Sequence, residues 1–339
     1  MQTVKKYIFV NTQIDQLLDP KIGLFKDLFL YNKYDITYRS VFKSYKSNII
    51  NFIVRVIFAN KLNFFFWPIK RFLYTFDKFK FVRNSQVYFI IPTVSAIKIN
   101  IDYLKSIKQK KNLKFILLIL DSLNAHSVHL KYLDKKIYSD VWDLILSFDK
   151  FDCTKNGFQY LGYFYYSSFN EIIPSKIKSD IYYIGAFKPG AKRELIISDI
   201  YDQCIKNNLI ANITVVSNKR EKNCNTNLKI SKSTKKYLDV IAEIKSTNCI
   251  LEVLQEGQKV QSIRYFEAVV YNKKLLSNNP NLKKLPFYDE RYMKYFENVD
   301  DIDWRWVQKK EMIDYKYNNE FSPIHMIEMI EKYFENGVN

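Results

Sequence analysis

Glycine numbers only 7 in 339 residues and alanine is scarce, whereas Lys, Asn, Ile, Tyr and Phe are abundant. No low-complexity linker and no internal repeat is visible, which argues against a solenoid or a string of tethered modules. The four cysteines, Cys153, Cys204, Cys224 and Cys249, are widely spaced and form no C-x-x-C pair. Neither a zinc site nor a disulfide scaffold is indicated, and reduced thiols fit a cytoplasmic protein. Of the three histidines, His126 and His129 lie three apart without a partner for metal ligation. No apolar run reaches the roughly eighteen residues that a membrane span needs. No signal peptide is expected either, because Met1 to Lys6 leads into a short strand-like YIFVN and then a polar stretch.

What is present is positive charge and apolar bulk. Lys and Arg outnumber Asp and Glu by 53 to 35, a formal charge of +18. That balance points to anionic partners such as nucleic acid, acidic lipid or phosphorylated substrates, although AT-rich coding bias would raise lysine without any ligand. An apolar fraction of 47% supports folded structure throughout. A chain of this length suits two domains of roughly 150 residues.

Strands and helices alternate along the chain. Lys5 to Asn11, Ser85 to Pro92, Leu113 to Leu120 and Val141 to Asp149 read as strands, with helical periodicity over Val94 to Lys110. A second alternation follows: strand Asp180 to Gly185, helix from about Arg193 to Asn207, strand Asn212 to Ser217, helix near Lys235 to Ser246. Ser322-Pro323 fits an N-cap with proline at the first helical position, opening a last helix to about Glu335. The expected class is α/β with two Rossmann-like domains, 1–175 and 176–320, and a C-terminal helix at 321–339.

Chemistry concentrates in Cys249 to Asn279, which reads as strand, polar loop, helix and strand. The strand breaks at Gln255-Glu256-Gly257-Gln258, and the helix sets Arg264 and Glu267 three residues apart on one face. A glycine turn, a helix N-terminus and an arginine fork suit a phosphate, and Glu267 one turn on could accept sugar hydroxyls. An ordinary surface ion pair is the competing reading. In the first half, Asp121 sits directly after a buried strand, where α/β sheets meet their ligands, or where it would cap the next helix.

These pieces carry a resemblance. DLILSFDKFDCTKNGFQY from Asp143, YYIGAFKPGAKRE from Tyr182, KKYLDVIAEIKSTNCILEVLQEGQ from Lys235 and RYFEAVVYNKKLLSNN from Arg264 resemble bacterial glycosyltransferases of the GT-B fold, as found in lipopolysaccharide and capsule biosynthesis. The resemblance spans about Asn84 to Tyr288. It departs from the family pattern at Val260 and Ser262, in place of a glycine and a threonine. It also lacks the paired glutamates of many retaining members, which favours inverting chemistry.

The resemblance implies a nucleotide-sugar donor, a glycan or lipid-linked glycan acceptor, and no metal or other cofactor. Lys188, Arg193, Gln258, Ser262, Arg264 and Glu267 are the donor-binding candidates. Catalytic-base candidates come from the first half: Asp121, then Asp149, then His126. A nucleoside monophosphate donor, as in CMP-sugars, fits the same basic loops.

Two further signals stand outside this set. Asp301-Ile302-Asp303 spells a D-x-D string, but no apolar strand precedes it, and a surface turn is expected rather than a metal site. The basic, aromatic stretch from Tyr38 to Lys80 could lie on an anionic inner-membrane surface or simply fill the first core. A nucleic-acid-binding protein is the alternative from composition, yet the basic residues are spread along the chain and no such motif is present, so no nucleic-acid partner is expected. A non-catalytic subunit that keeps the fold is a third reading.

Overall fold

The computed structural model describes residues 4–11, 19, 23–30, 33–41, 48–57, 73–75, 85–109, 113–123, 139–162, 165–186, 192–217, 228–258 and 260–336. The chain forms two compact units. One comprises Met1–Ser167 and Ser322–Asn339, the other Ser168–Phe321. The division thus falls before the expected boundary at 175, and the C-terminal helix belongs to the first unit rather than standing alone.

In the first unit, β1 (Val4–Asn11), α1 (Asp27–Leu30), β2 (Ile36–Ser40), α2 (Asn48–Ile57), β3 (Ser85–Pro92), α3 (Thr93–Ala96), α4 (Ile101–Lys108), β4 (Leu113–Ile119), β5 (Leu144–Ser147), α5 (Lys150–Asn156) and β6 (Gln159–Tyr160) follow in order. The strands form one sheet, β2-β1-β3-β4-β5-β6, with all pairs parallel. Strands buried on both faces read as continuous apolar runs. Phe89, Ile91, Phe115 and Leu117 enter one core cluster, while Tyr88, Ile90, Ile116 and Leu118 are buried on the other face.

The helix expected over Val94 to Lys110 is two helices. Asn100 ends the first stretch and caps α4, its side chain accepting from the N–H of Asp102 (2.7 Å) and Tyr103 (3.2 Å). An asparagine in mid-pattern competes with the helical backbone in this way.

The second unit runs β7 (Ser179–Ala186), α6 (Lys192–Lys206), β8 (Ala211–Val216), β9 (Lys229–Ser231), α7 (Tyr237–Ser246), β10 (Thr247–Glu252), α8 (Ile263–Val270), β11 (Lys274–Ser277), β12 (Met293–Tyr295) and α9 (Trp304–Gln308). Its sheet, β12-β11-β10-β7-β8-β9, is again parallel. Counted from β7, this is the 3-2-1-4-5-6 order of a doubly wound nucleotide-binding sheet, whose direction reverses between β7 and β10.

The last helix, α10 (Ile324–Asn336), packs Met326, Ile327 and Ile330 into the first unit. Tyr7 Oη donates to Glu331 (3.0 Å), Lys5 to Glu335 (2.6 Å) and Lys33 to Glu328 (2.6 Å). The apolar stripe holds this helix, since exposed ion pairs add little.

Among the described residues no helix is long and apolar enough to cross a membrane. Of the stretch from Tyr38 to Lys80, α2 is described, and it leaves Ile49, Phe52, Ile53 and Val56 exposed at i, i+3, i+4 and i+7 while Val54 is buried.

Candidate functional site

Ligands of doubly wound sheets bind outside the carboxyl ends of the strands, where strand order reverses. In the second unit that point lies between β7 and β10, and there the strands part. The pairing of β7 with β10 stops at Ile250↔Tyr182, whereas its pairing with β8 continues to Ala186↔Val216. The end of β7 therefore loses its β10 neighbour. Two arginines take up carbonyls there: Arg264 Nη2 donates to Ile184 O (3.2 Å) and Arg193 Nη2 to Ala186 O (2.5 Å).

Arg264 comes from the first turn of α8, which Ser262 caps by accepting from the Arg264 N–H (3.2 Å). Its Nη1 donates to Glu267 Oε2, while Tyr237 Oη donates to Glu267 Oε1 (3.2 Å). Glu267 is fully buried. Burial raises its carboxyl above the ordinary range, with the Arg264 guanidinium opposing. The role expected for Glu267, accepting hydroxyls of a sugar, is therefore corrected: no carboxylate edge faces solvent, and both oxygens hold protein donors. What it does is fix the arginine fork and compensate a charge that burial would otherwise expel.

Glu252 closes β10 and is likewise buried. One oxygen accepts from the Ser262 N–H (2.6 Å), the other from Ser277 Oγ (2.5 Å). Asn278 Oδ1 accepts from the Leu254 N–H (2.8 Å). The loop between β10 and α8 is thus tied at both ends, and Gly257 turns at its tip with φ +81°.

Gln258 folds back on this loop, its Nε2 donating to Val260 O (3.1 Å), so its amide shapes the turn instead of standing free for a ligand. Ser262 accepts through Oγ and keeps its O–H as a donor. Gly185 lies one residue before the end of β7, and a Cβ there would meet Tyr183 Oη at 2.3 Å and Cζ at 2.8 Å. Tyr183 is itself buried, so Gly185→Ala is expected to destabilise by about 1–3 kcal/mol. Denaturant unfolding measures it.

In the first unit, Asp121 is exposed just beyond β4. Asp149, the other base candidate, is 1% exposed and N-caps α5: Oδ1 accepts from Phe151 N (2.9 Å) and Oδ2 from Ser122 Oγ (2.5 Å). Asp152 accepts from Leu123 N (2.7 Å), and burial raises its carboxyl. Asp149 is therefore corrected from base to support: with Asp152 it secures the residues next to Asp121. Strand order in this unit reverses between β1 and β3, and at that point Ser95 Oγ donates to Val10 O (3.2 Å). Beside it the hydroxyl of Thr93, 3% exposed, has no partner among the described residues.

Lys188, His126, His129 and most of the Tyr38 to Lys80 stretch lie outside the described residues. Asp301 and Asp303 are both engaged as caps, Asp301 accepting from Asn298 N (3.0 Å) and Asp303 from Trp306 N (3.1 Å), as expected of a surface turn. Sequence reasoning passed over Glu252 and Ser277. An acid closing an otherwise apolar buried strand was the available signal for Glu252; Ser277 has none without the pairing of β10 with β11.

No family model matches the chain, and no curated protein matches it. Among solved structures, it is similar to a UDP-N-acetylglucosamine 2-epimerase from Rickettsia bellii, with a TM-score of 0.53 and 10% identity over 99% of this chain and 98% of that one. A trehalose-6-phosphate synthase matches over 98% and 96%, with a TM-score of 0.42 and 9% identity. TarM matches with 0.39 and 16% over 73% of this chain and 52% of TarM. The likeness is one of fold: two Rossmann-like units of the GT-B type with a C-terminal helix.

Proposed function

We propose that this chain is a glycosyltransferase, moving a sugar from a nucleotide-sugar donor to a cell-surface glycan precursor of the lipopolysaccharide or capsule kind. The observation that carries the reading is the parting of β7 and β10 beside the N-terminus of α8, with Arg264 held there by Glu267 and Ile184. Donor phosphate oxygens would meet the Ile263 N–H at the start of α8, the Ser262 hydroxyl and the remaining N–H groups of Arg264 and Arg193, with Lys188 adding charge. Such groups stabilise the leaving nucleotide phosphate without a metal.

In an inverting transfer, a base takes the proton of the acceptor hydroxyl as its oxygen bonds to the anomeric carbon. The bond from that carbon to the phosphate oxygen breaks, and its electron pair leaves with the nucleotide. Asp121 is the proposed base. The donor is a nucleoside diphosphate sugar or, on the same groups, a CMP-sugar. The exposed apolar stripe of α2, within a stretch rich in Lys and Arg, supports attachment to the inner face of an anionic cytoplasmic membrane.

Nucleoside mono- and diphosphates are expected to raise the melting temperature, with stabilisation of about 2.7 kcal/mol at a hundredfold excess over Kd. Stabilisation by oligonucleotides alone would replace this reading with a nucleic-acid one. Epimerisation of a nucleotide sugar is a second reading, favoured by the full-length structural likeness to an epimerase. A nucleotide-sugar screen followed by NMR of the products separates them: free nucleotide and a released sugar whose non-anomeric ring carbons keep their configuration mark transferase chemistry, and an inverted non-anomeric ring carbon marks the epimerase.

A further inference from the structure

A groove of about 800 Å³ crosses the first unit at the amino ends of its strands, the opposite end from Asp121. Gln86 of β3, Lys114 of β4, Asp143 just before β5 and Gln159 of β6 form one wall, and the last turns of α10 form the other. A second hollow of about 430 Å³ continues it past β5 and β6, sharing Asp143, Gln159 and Tyr333. The first volume is that of an ordinary small-molecule site, roughly 300–1,000 Å³. Its position excludes it from the phosphate-binding geometry of a doubly wound sheet, which uses the carboxyl ends.

The chemistry of the lining narrows the ligand. Two helices end here, α10 with Lys332, Tyr333 and Asn336, and α5 with Asn156 and its cap Gly157. Helix carboxyl ends carry partial negative charge and repel phosphate. The charge of Lys114 is answered by Asp143 (3.1 Å), which also binds Lys108 (2.9 Å), and its Nζ lies 5.8 Å over the Phe334 ring. Among the side chains that line the two hollows, Lys114 and Lys332 are matched in number by Asp143 and Asp140, so the lining favours neither an anion nor a cation. What remains are amides, an exposed ammonium on Lys332, and the ring of Tyr333, 41% exposed at the junction of the two hollows. Aromatic faces that take the C–H side of a pyranose, flanked by amides for its hydroxyls, are the chemistry of carbohydrate binding.

We infer that this groove binds a neutral oligosaccharide, remote from the reacting centre. Its service in holding a glycan chain during transfer rests on the transferase reading; the binding itself does not. Saturation-transfer NMR and calorimetry with maltohexaose and chitohexaose on the full chain test it. At least one hexaose is expected to bind, and Tyr333→Ala and Gln159→Ala are each expected to weaken it by about tenfold. Both variants should leave melting temperature and nucleotide response unchanged, since both side chains are exposed. No binding of either hexaose, or binding that both variants leave intact, overturns the site. A chain that binds a hexaose through Tyr333 but ignores every nucleotide keeps this site and loses the transferase reading. The reverse pattern loses this site alone.

Discussion

Glu267→Ala is expected to lower the unfolding free energy by about 3–5 kcal/mol, because it leaves the Arg264 guanidinium, only 13% exposed, without its counter-charge. The Tyr237 hydroxyl loses its acceptor in the same step. Loss of nucleotide binding in such a variant would say nothing by itself, since the end of β7 would be disturbed with it. A paired replacement separates the two effects. Exchanging a buried ion pair for apolar residues of similar volume is often neutral or stabilising. Arg264→Met with Glu267→Leu should therefore cost less than Glu267→Ala in urea unfolding, about 1–3 kcal/mol for the Tyr237 hydroxyl and Ile184 carbonyl left without partners. It should also give no thermal shift with any nucleotide. If that double variant still responds to nucleotides, Arg264 is only a strut and the phosphate site lies elsewhere.

Glu252→Ala is the other large expected effect, about 2–4 kcal/mol, from a buried Ser262 N–H and a Ser277 hydroxyl left without acceptors and a small cavity at the end of β10. Nucleotide affinity should fall with it, because Ser262 caps the helix that carries Arg264. The same carboxylate leaves a mark on pH dependence. Burial raises the native Glu252 carboxyl above its ordinary value, so between that value and the raised one the native state holds more protons than the unfolded state. Stability contributed at this residue is therefore greatest at acid pH. It declines as pH rises through that window and is level once the native carboxyl has ionised. Glu252→Gln removes the decline. The difference between parent and variant in urea unfolding from pH 4 upward isolates it from Glu267 and Asp152, whose carboxyls are shifted in the same direction. Parallel curves for parent and variant would refute the assignment.

Legibility in the sequence followed the length and burial of each element. Strands β3, β4, β7 and β8 were read nearly to the residue, because a strand covered on both faces is written as an unbroken apolar run. The short edge strands β2, β6, β9 and β12 were not read, since two to five half-exposed residues become strands only through the neighbour they pair with. The helix split at Asn100 was hidden because Ile97, Ile101, Leu104 and Ile107 keep helical spacing across the break. The loop-to-helix pattern singled out Arg264, Ser262 and Glu267 as donor-binding candidates, a role that is proposed for Arg264 and Ser262. The direction of Glu267 was not legible, because spacing on a helix gives a face and does not say whether that face meets solvent or core.

By its pattern of apolar runs and helical stripes alone, the sequence determined that this protein is α/β, doubly alternating, and closed by a C-terminal helix. It also located the loop and helix where phosphate chemistry is proposed. Only tertiary structure decided that α10 belongs to the first unit, that Asp149 and Glu267 are inward-facing supports, and that β7 and β10 separate where two arginines take the freed carbonyls. The reason is physical: local pattern reports which residues avoid water, whereas the partner of a buried charge is set by elements far apart in the chain.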